Sequence, residues 1–140
     1  MLKASNFGKC KPHSHIQVKM EGFFEKYSAK LIENSEDAPT GCRIWLKARK
    51  QGPTAYGVIK AKFPEVGWRT IHVHRLRYLV HHRILHTPDG VEVSHLCHEP
   101  LCLNPEHLSL EPRRTNQDRN MCRHRGVCLG HGQYPDCIRF

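Results

Sequence analysis

The feature that most constrains the fold is a group of soft metal ligands within residues 94–108. Cys97, Cys102 and His107 follow one another with four residues between neighbours. A structural zinc ion needs about four Cys or His ligands in a tetrahedral arrangement, so a fourth must come from elsewhere. Cys42 is the best choice, because it precedes the first predicted strand and has no other partner in view. In so small a chain, zinc binding there would supply folding free energy.

A second group of ligands follows near the end of the chain: Cys122, Cys128, His131 and Cys137. They predict a second zinc site around a loop that is too polar to fold alone, with His124 as a competing imidazole. An unstructured tail carrying surface cysteines is the other interpretation. The seven cysteines are odd in number and interleaved with histidines, which favours zinc and a reducing compartment over a disulfide framework.

Length and charge indicate the class of partner. The chain has 140 residues and a net charge of +9, which fits one domain with tails and favours nucleic acid over a merely soluble basic protein. No apolar run approaches the roughly 20 residues that cross a bilayer, and the N-terminal residues lack a secretory signal. We therefore expect an intracellular protein without membrane contact, nuclear in a eukaryote and otherwise cytoplasmic.

The pattern divides the chain into three parts. Residues 1–40 should form a basic arm, an amphipathic helix over 16–32 and a turn-rich linker over 33–41 that leads into the main domain. Residues 41–121 should hold a sheet and the functional core, and residues 122–140 the second zinc loop. The expected class is α+β with an antiparallel sheet.

Alternation over residues 42–49 and again up to Phe63 predicts an antiparallel hairpin across a Gly-Pro loop. The predicted core face carries Ile44, Leu46 and Ala48, followed by Ile59, Ala61 and Phe63. The opposite face is basic, and it is either a solvated surface or a ribbon that enters a DNA groove. Its candidate DNA-binding residues are Arg43, Lys47, Arg49, Lys60 and Lys62.

The second half of the core predicts a ββα unit. After a strand over 69–73 and a helix over 74–84, a strand from Val91 delivers His95, and a return strand covers 108–110. A helix over 113–121, opened by Pro112, then displays Asn116. The unit would place His95 and Asn116 opposite one another across a small gap.

This pair of residue types suits phosphodiester hydrolysis. Imidazole can deprotonate water near neutral pH, and one amide oxygen together with substrate phosphates can hold Mg²⁺, which keeps several of its waters. The alternative is that His95 is a further zinc ligand and Asn116 an ordinary surface residue. Spacing alone does not separate the two interpretations.

The motif from His95 through Cys102, Asn104 and His107 to Asn116 and Cys122 resembles the His-Cys box homing endonucleases. These belong to the His-Me finger (ββα-metal) nucleases, whose core phage HNH enzymes share. The resemblance extends upstream to Cys42–Trp45, residues 55–57 and residues 74–76, and covers roughly residues 41–137.

The resemblance implies a magnesium-dependent endonuclease acting on double-stranded DNA. His95 would be the general base and Asn116 the protein ligand of one Mg²⁺. Two structural zinc ions would be held by the two groups of ligands: Cys42, Cys97, Cys102 and His107, and then Cys122, Cys128, His131 and Cys137. The family also holds the scissile phosphate with an arginine of the sheet, for which Arg69 is the first choice and Lys62 and Arg75 are rivals.

One departure bears on assembly and activity. A well-known family member exchanges a longer C-terminal tail between subunits, whereas this sequence stops at Phe140. A homodimer is therefore expected only by another route. The alternative function is a zinc-containing DNA-binding module that is derived from such a nuclease and no longer cleaves.

Overall fold

The computed structural model describes residues 15–52 and 55–139, so the first 14 residues of the expected basic arm lie outside it. This part of the chain is α+β, as predicted. Its helices and strands are α1 (His15–Glu33), β1 (Ser35–Asp37), β2 (Arg43–Trp45), β3 (Val58–Phe63), β4 (Gly67–His72), α2 (Val73–His82), β5 (Val91–His95), β6 (Leu108–Pro112) and α3 (Arg113–Arg125). No helix in the described ranges has the length and apolarity that crossing a bilayer requires.

Helix α1 forms where the apolar spacing predicts it. Its buried face is aromatic, and the ring centroids of Phe23 and Phe63 lie 4.8 Å apart, which joins the helix to β3. The hydroxyl of Tyr27 accepts a hydrogen bond of 2.7 Å from the backbone N–H of Lys62. The expected linker over 33–41 contains the short strand β1, so it is not wholly irregular.

The predicted hairpin between residues 42–49 and the run ending at Phe63 is wrong in its pairing. Strand β2 pairs with β1, and β3 pairs with β4. Only a short backbone contact joins residues 48–50 to 56–58, including the Lys50 N–H to the Tyr56 carbonyl at 2.8 Å. The predicted core face is only partly right: Ile44 packs against the core as expected, but Trp45 is buried and Leu46, which follows β2, is exposed. The indole has the larger apolar area, so its burial decides the orientation.

Strands β3 and β4 form a regular ribbon with one face on the core. Ala61 and Phe63 are buried, as predicted. The register pairs Val58 with His72 and Lys62 with Trp68. Because side chains alternate along a strand, six residues share the other face, which we name the outer ribbon face. They are Val58, Lys60, Lys62, Trp68, Thr70 and His72.

The ββα unit forms as predicted. Strands β5 and β6 are antiparallel, with His95 opposite Leu108, and α3 follows β6 directly. Helix α3 extends beyond the predicted 113–121 to Arg125, and the next residue, Gly126, caps it with a left-handed φ of 71° that suits glycine. Helix α2 ends at His82, two residues short of the predicted 74–84, and buries Leu76, Leu79 and Val80 against the core.

Gly57 allows the chain to pass close to the core beside this unit. A Cβ atom there would lie 2.5 Å from both a Trp45 ring carbon and a Val73 methyl carbon. The Gly57 carbonyl accepts a 2.9 Å hydrogen bond from the Val73 N–H, which fixes the approach. Only the absence of a side chain permits this packing, and the preceding residue, Tyr56, is thereby placed beside β4 and α2.

We expect Gly57→Ala to destabilise the protein by about 1–3 kcal/mol, because the added methyl group overpacks the core. Gly22→Ala in α1 is the matched control, since its Cβ would meet no atom within 4 Å. That change should be neutral or stabilise by up to about 1 kcal/mol through helix propensity. Urea unfolding of both variants in the presence of zinc measures the difference, and equal effects would contradict the packing argument.

Candidate metal centres and active-site cleft

The first group of predicted zinc ligands comes together: Cys42, Cys97, Cys102 and His107 have ligand atoms within 4.8 Å of one another. His107 Nδ1 lies 3.4 Å from Cys102 Sγ and 3.6 Å from Cys42 Sγ. Tetrahedral zinc with Zn–N of about 2.0 Å and Zn–S of about 2.3 Å separates nitrogen from sulfur by about 3.5 Å. The donor set and its spacing therefore fit a structural zinc ion.

The backbone around this tetrad joins two distant segments. The Leu103 N–H donates to the Arg43 carbonyl at 2.6 Å, and the Asn104 side chain donates to the Gly41 carbonyl at 2.8 Å. A hydrogen bond from Cys97 lowers the pKa of the Cys102 thiol to about 5 and raises the pKa of Cys97. A thiolate, the form that binds zinc, is thus favoured at Cys102.

The second tetrad also forms as predicted, from Cys122, Cys128, His131 and Cys137. His131 Nε2 lies 3.5 Å from both Cys122 Sγ and Cys137 Sγ, which is again the tetrahedral separation. The competing His124 is exposed and is not part of the cluster.

A buried ion pair connects this tetrad to the ββα unit. The Arg119 guanidinium donates to both carboxylate oxygens of Glu111, at 2.5 and 2.8 Å, and both residues are buried. The same guanidinium donates to Cys137 Sγ at 3.4 Å and to the Pro135 carbonyl at 2.7 Å. The second tetrad is therefore held against β6 and α3 through Arg119.

His95 is not a member of either tetrad. Its Nε2 lies 3.1 Å from the Cys102 carbonyl. A carbonyl oxygen only accepts, so Nε2 carries the proton and Nδ1 carries the lone pair. Burial lowers the pKa of His95 to about 4, and the ring is therefore neutral at neutral pH. A neutral imidazole with a free Nδ1 lone pair is the form that accepts a proton.

The Asn116 side chain is oriented by Glu92. Its Nδ2 donates to Glu92 Oε2 at 2.7 Å, and Arg113 donates to Oε1 at 2.8 Å. These hydrogen bonds lower the pKa of Glu92, with the bond from Asn116 contributing most. Since the carboxylate takes the NH₂ group, the carbonyl oxygen of Asn116 is left for another partner, such as a hard cation.

His95 and Asn116 line the same cleft, of about 170 Å³. The other residues that line it are Ala55, Tyr56, Val93, His98, Pro100, Arg119, Asn120 and Arg123. The cleft therefore combines a neutral base, an amide oxygen and cationic side chains, which is chemistry suited to an anionic substrate.

Arg69, the sheet arginine first expected at the phosphate, is not in this cleft. It pairs with Ala61 on the inner side of the ribbon and lines another cavity with Phe63. In the register of β4, Arg69 lies on the opposite ribbon face from His72, so it cannot share the cleft side of the ribbon with that residue. Lys62, the first rival, lies on the outer ribbon face, four residues from the Val58–His72 pair, roughly 13 Å away at about 3.3 Å per residue.

The candidate DNA-binding residues are divided among several places. The guanidinium of Arg43 donates to Ser35, Asp37 and the Ile32 carbonyl, so it is bound internally and is not on the basic face that was expected. Lys47 and Lys60 line one shallow concavity. Arg49 is exposed on the segment that contacts Gly57.

The sequence-based reasoning missed the aromatic wall of the cleft. The His95 ring lies 4.4 Å from the His74 ring and is nearly parallel to the Tyr56 ring at 6.1 Å, measured between centroids. His72 contacts both Tyr56 and His74. The sequence did contain a signal for this cluster: two histidines, His72 and His74, alternate with apolar residues where β4 passes into α2. That spacing brings the two imidazole rings close together.

Cys102→Ser should abolish the cooperative unfolding transition and lose at least one of the two zinc ions. The reason is that loss of a structural zinc removes apparent binding free energy of about 10–16 kcal/mol. Cys128→Ser should also lose one zinc but keep a transition, since Cys128 is only half-buried and lies outside the main core.

Elemental analysis and circular dichroism melting measure both outcomes. Cys10→Ser, at the cysteine outside both tetrads, is the control and should retain both ions. A wild-type melting curve for Cys102→Ser would contradict the first site.

Comparison with known proteins gives one family. Its sequence model, described as the zinc-binding loop region of homing endonuclease, matches residues 42–137, which is more than half of the chain and runs from the first ligand of one tetrad to the last ligand of the other. No curated protein matches the chain. With both tetrads and the ββα unit in place, the chain belongs to the His-Cys box homing endonuclease family.

Proposed function

We propose that this protein is a magnesium-dependent DNA endonuclease in which His95 activates the attacking water. The observation that carries the proposal is the hydrogen bond from His95 Nε2 to the Cys102 carbonyl, which leaves Nδ1 as the proton acceptor in a cleft shared with Asn116. Membership of the homing endonuclease family supports DNA as the substrate.

The proposed reaction is hydrolysis of one phosphodiester bond. The water oxygen bonds to phosphorus while its proton passes to His95 Nδ1, and the bond from phosphorus to the departing 3′ oxygen breaks with its electron pair. That oxygen then takes a proton from solvent. Burial keeps His95 neutral beforehand, and a phosphate anion beside it favours the protonated product.

Asn116 is the residue that would hold Mg²⁺, through its side-chain oxygen. When bound, the ion would neutralise negative charge on the departing oxygen. The contribution of the chain itself is orientation: Glu92 fixes the amide by accepting from Nδ2, and Arg113 keeps that carboxylate ionised. A single oxygen ligand suffices for an ion that retains water and gains phosphate ligands.

The outer ribbon face is the proposed DNA-contacting surface. Lys60 and Lys62 are exposed on it, and Trp68 is 64% exposed beside Lys62. A two-stranded ribbon fits the major groove, where lysines meet phosphates and an aromatic ring can meet the methyl group of thymine. Because His72 ends this face next to the cleft, bound DNA would run from the ribbon to His95.

The second candidate function is a zinc-containing DNA-binding module that has lost cleavage. The position of Arg69 outside the cleft favours it, since the expected phosphate clamp of the sheet is not there. The orientation of His95 and Asn116 favours the nuclease, because DNA binding alone needs neither residue.

The six described cysteines are free of disulfides, which supports a reducing location such as a nucleus or cytoplasm. Homodimer formation stays a prediction.

His95→Ala should abolish nicking of supercoiled plasmid in Mg²⁺. Loss of a general base costs about 10²–10⁴ in rate. Zinc content and DNA binding should not change, because His95 is in neither tetrad. Gel analysis of the plasmid gives the rate, with His124→Ala as the exposed-histidine control. Wild-type nicking by His95→Ala would remove the proposed base, and a wild-type protein that binds but never nicks would establish the second candidate.

Replacing Lys60 and Lys62 together by Gln should weaken DNA binding at all sequences. The slope of log affinity against log salt should fall by about two, since each phosphate contact contributes about 0.9. The double change Lys19→Gln and Lys26→Gln on α1 removes equal charge away from the ribbon and is the control. Fluorescence anisotropy across a salt series measures the slopes. Equal slopes for the two double variants would exclude the ribbon as the contact surface.

A further inference from the structure

The side of the cleft next to β4 carries aromatic and imidazole rings, where an arginine that binds the scissile phosphate was expected. Tyr56 lines the cleft, and its ring lies 5.1 Å from those of His72 and His74. Arg75, the remaining rival on this side, donates to Thr87 at 3.3 Å and is not among the residues that line the cleft. No residue of β3 or β4 therefore brings a cation into the cleft, within the part of the chain that the structure describes.

Helix α3 does bring cations there. Asn116, Asn120 and Arg123 lie at positions i, i+4 and i+7, so they share one helix face, and all three line the cleft with His95. Asn116 and Arg123 are two helical turns apart, about 10 Å along the axis, a separation that a bound phosphate and the long arginine side chain can bridge.

The two arginines of α3 that line the cleft differ in their burial and in their side-chain partners. Arg119 is buried and is neutralised by Glu111. Arg123 is exposed, and no hydrogen bond or ion pair engages it among residues 15–52 and 55–139. Its side chain nevertheless lines the cleft together with His95 and Asn116.

We propose that Arg123 of α3 binds the scissile phosphate, in the place of a sheet arginine. A guanidinium donates two parallel hydrogen bonds to phosphate oxygens and keeps its charge at any working pH. Charge grows on those oxygens as water attacks, so a cation that lines the cleft on the same helix face as Asn116 stabilises the transition state more than the bound substrate. This assignment rests on the proposed nuclease function.

The test compares Arg123→Gln and Arg123→Lys with Arg125→Gln. Arg125 is exposed on the same last turn but does not line the cleft, so its change removes equal charge from the helix. Plasmid nicking with enzyme in excess gives the rate of the chemical step, and DNA affinity is measured with each change placed in the His95→Ala background. Zinc content checks folding, because Cys122 precedes Arg123.

Arg123→Gln should lower the nicking rate about 100-fold or more, the cost of one transition-state donor, while affinity falls no more than for Arg125→Gln. Arg123→Lys should recover part of the rate, since it keeps the charge but not the paired donors. Equal rates for Arg123→Gln and Arg125→Gln would overturn the assignment and leave the nuclease intact if His95→Ala is inactive. Wild-type protein that does not nick in Mg²⁺ would overturn both.

Discussion

The first metal tetrad is the interaction on which the rest of the structure depends. It ties Cys42, at the start of β2, to a loop far along the chain that holds the other three ligands. That loop also supplies the carbonyl of Cys102, which accepts from His95 Nε2. One residue thus contributes its sulfur to the metal site and its carbonyl to the proposed base. Folding and the tautomer of His95 are therefore coupled through the same few atoms.

The second tetrad holds the side of the cleft that α3 forms. Cys122 belongs to α3, the helix that carries Asn116, and the buried Arg119–Glu111 pair joins that helix to β6 and to the loop with Cys137. Loss of either partner of the pair would leave a buried charge without compensation, which is strongly destabilising. The two tetrads are also joined to each other, because the Ile138 N–H, next to Cys137, donates to the Leu96 carbonyl, next to Cys97, at 2.9 Å.

The sequence predicted the features that depend on neighbouring residues. The predictions were wrong where the outcome depends on which of two side chains is buried by residues far away in the sequence. Ligand spacing identified both tetrads, and the local pattern of apolar residues identified the ββα unit and α2. The pairing partner of β2 could not be predicted from alternation. It depends on the burial of Trp45 in the core, which leaves Leu46 exposed. The register of β4 then placed Arg69 on the ribbon face that carries Ala61, away from the cleft, and no property of that residue type reveals such a register. The ring cluster around His95 depends on the close approach at Gly57, which only tertiary packing shows.

The side of the cleft that carries His95 and the side formed by α3 differ in charge. Burial lowers the pKa of His72 and His74, and their charges and that of His95 would repel one another, so the sheet side is uncharged at neutral pH. An uncharged wall suits a base that must accept a proton, but it attracts no phosphate. The attraction must come from α3, where Arg123 is the cleft cation without a buried carboxylate. The base and the cation belong to different elements, β5 and α3, and a positive charge close to the imidazole would lower its affinity for the proton.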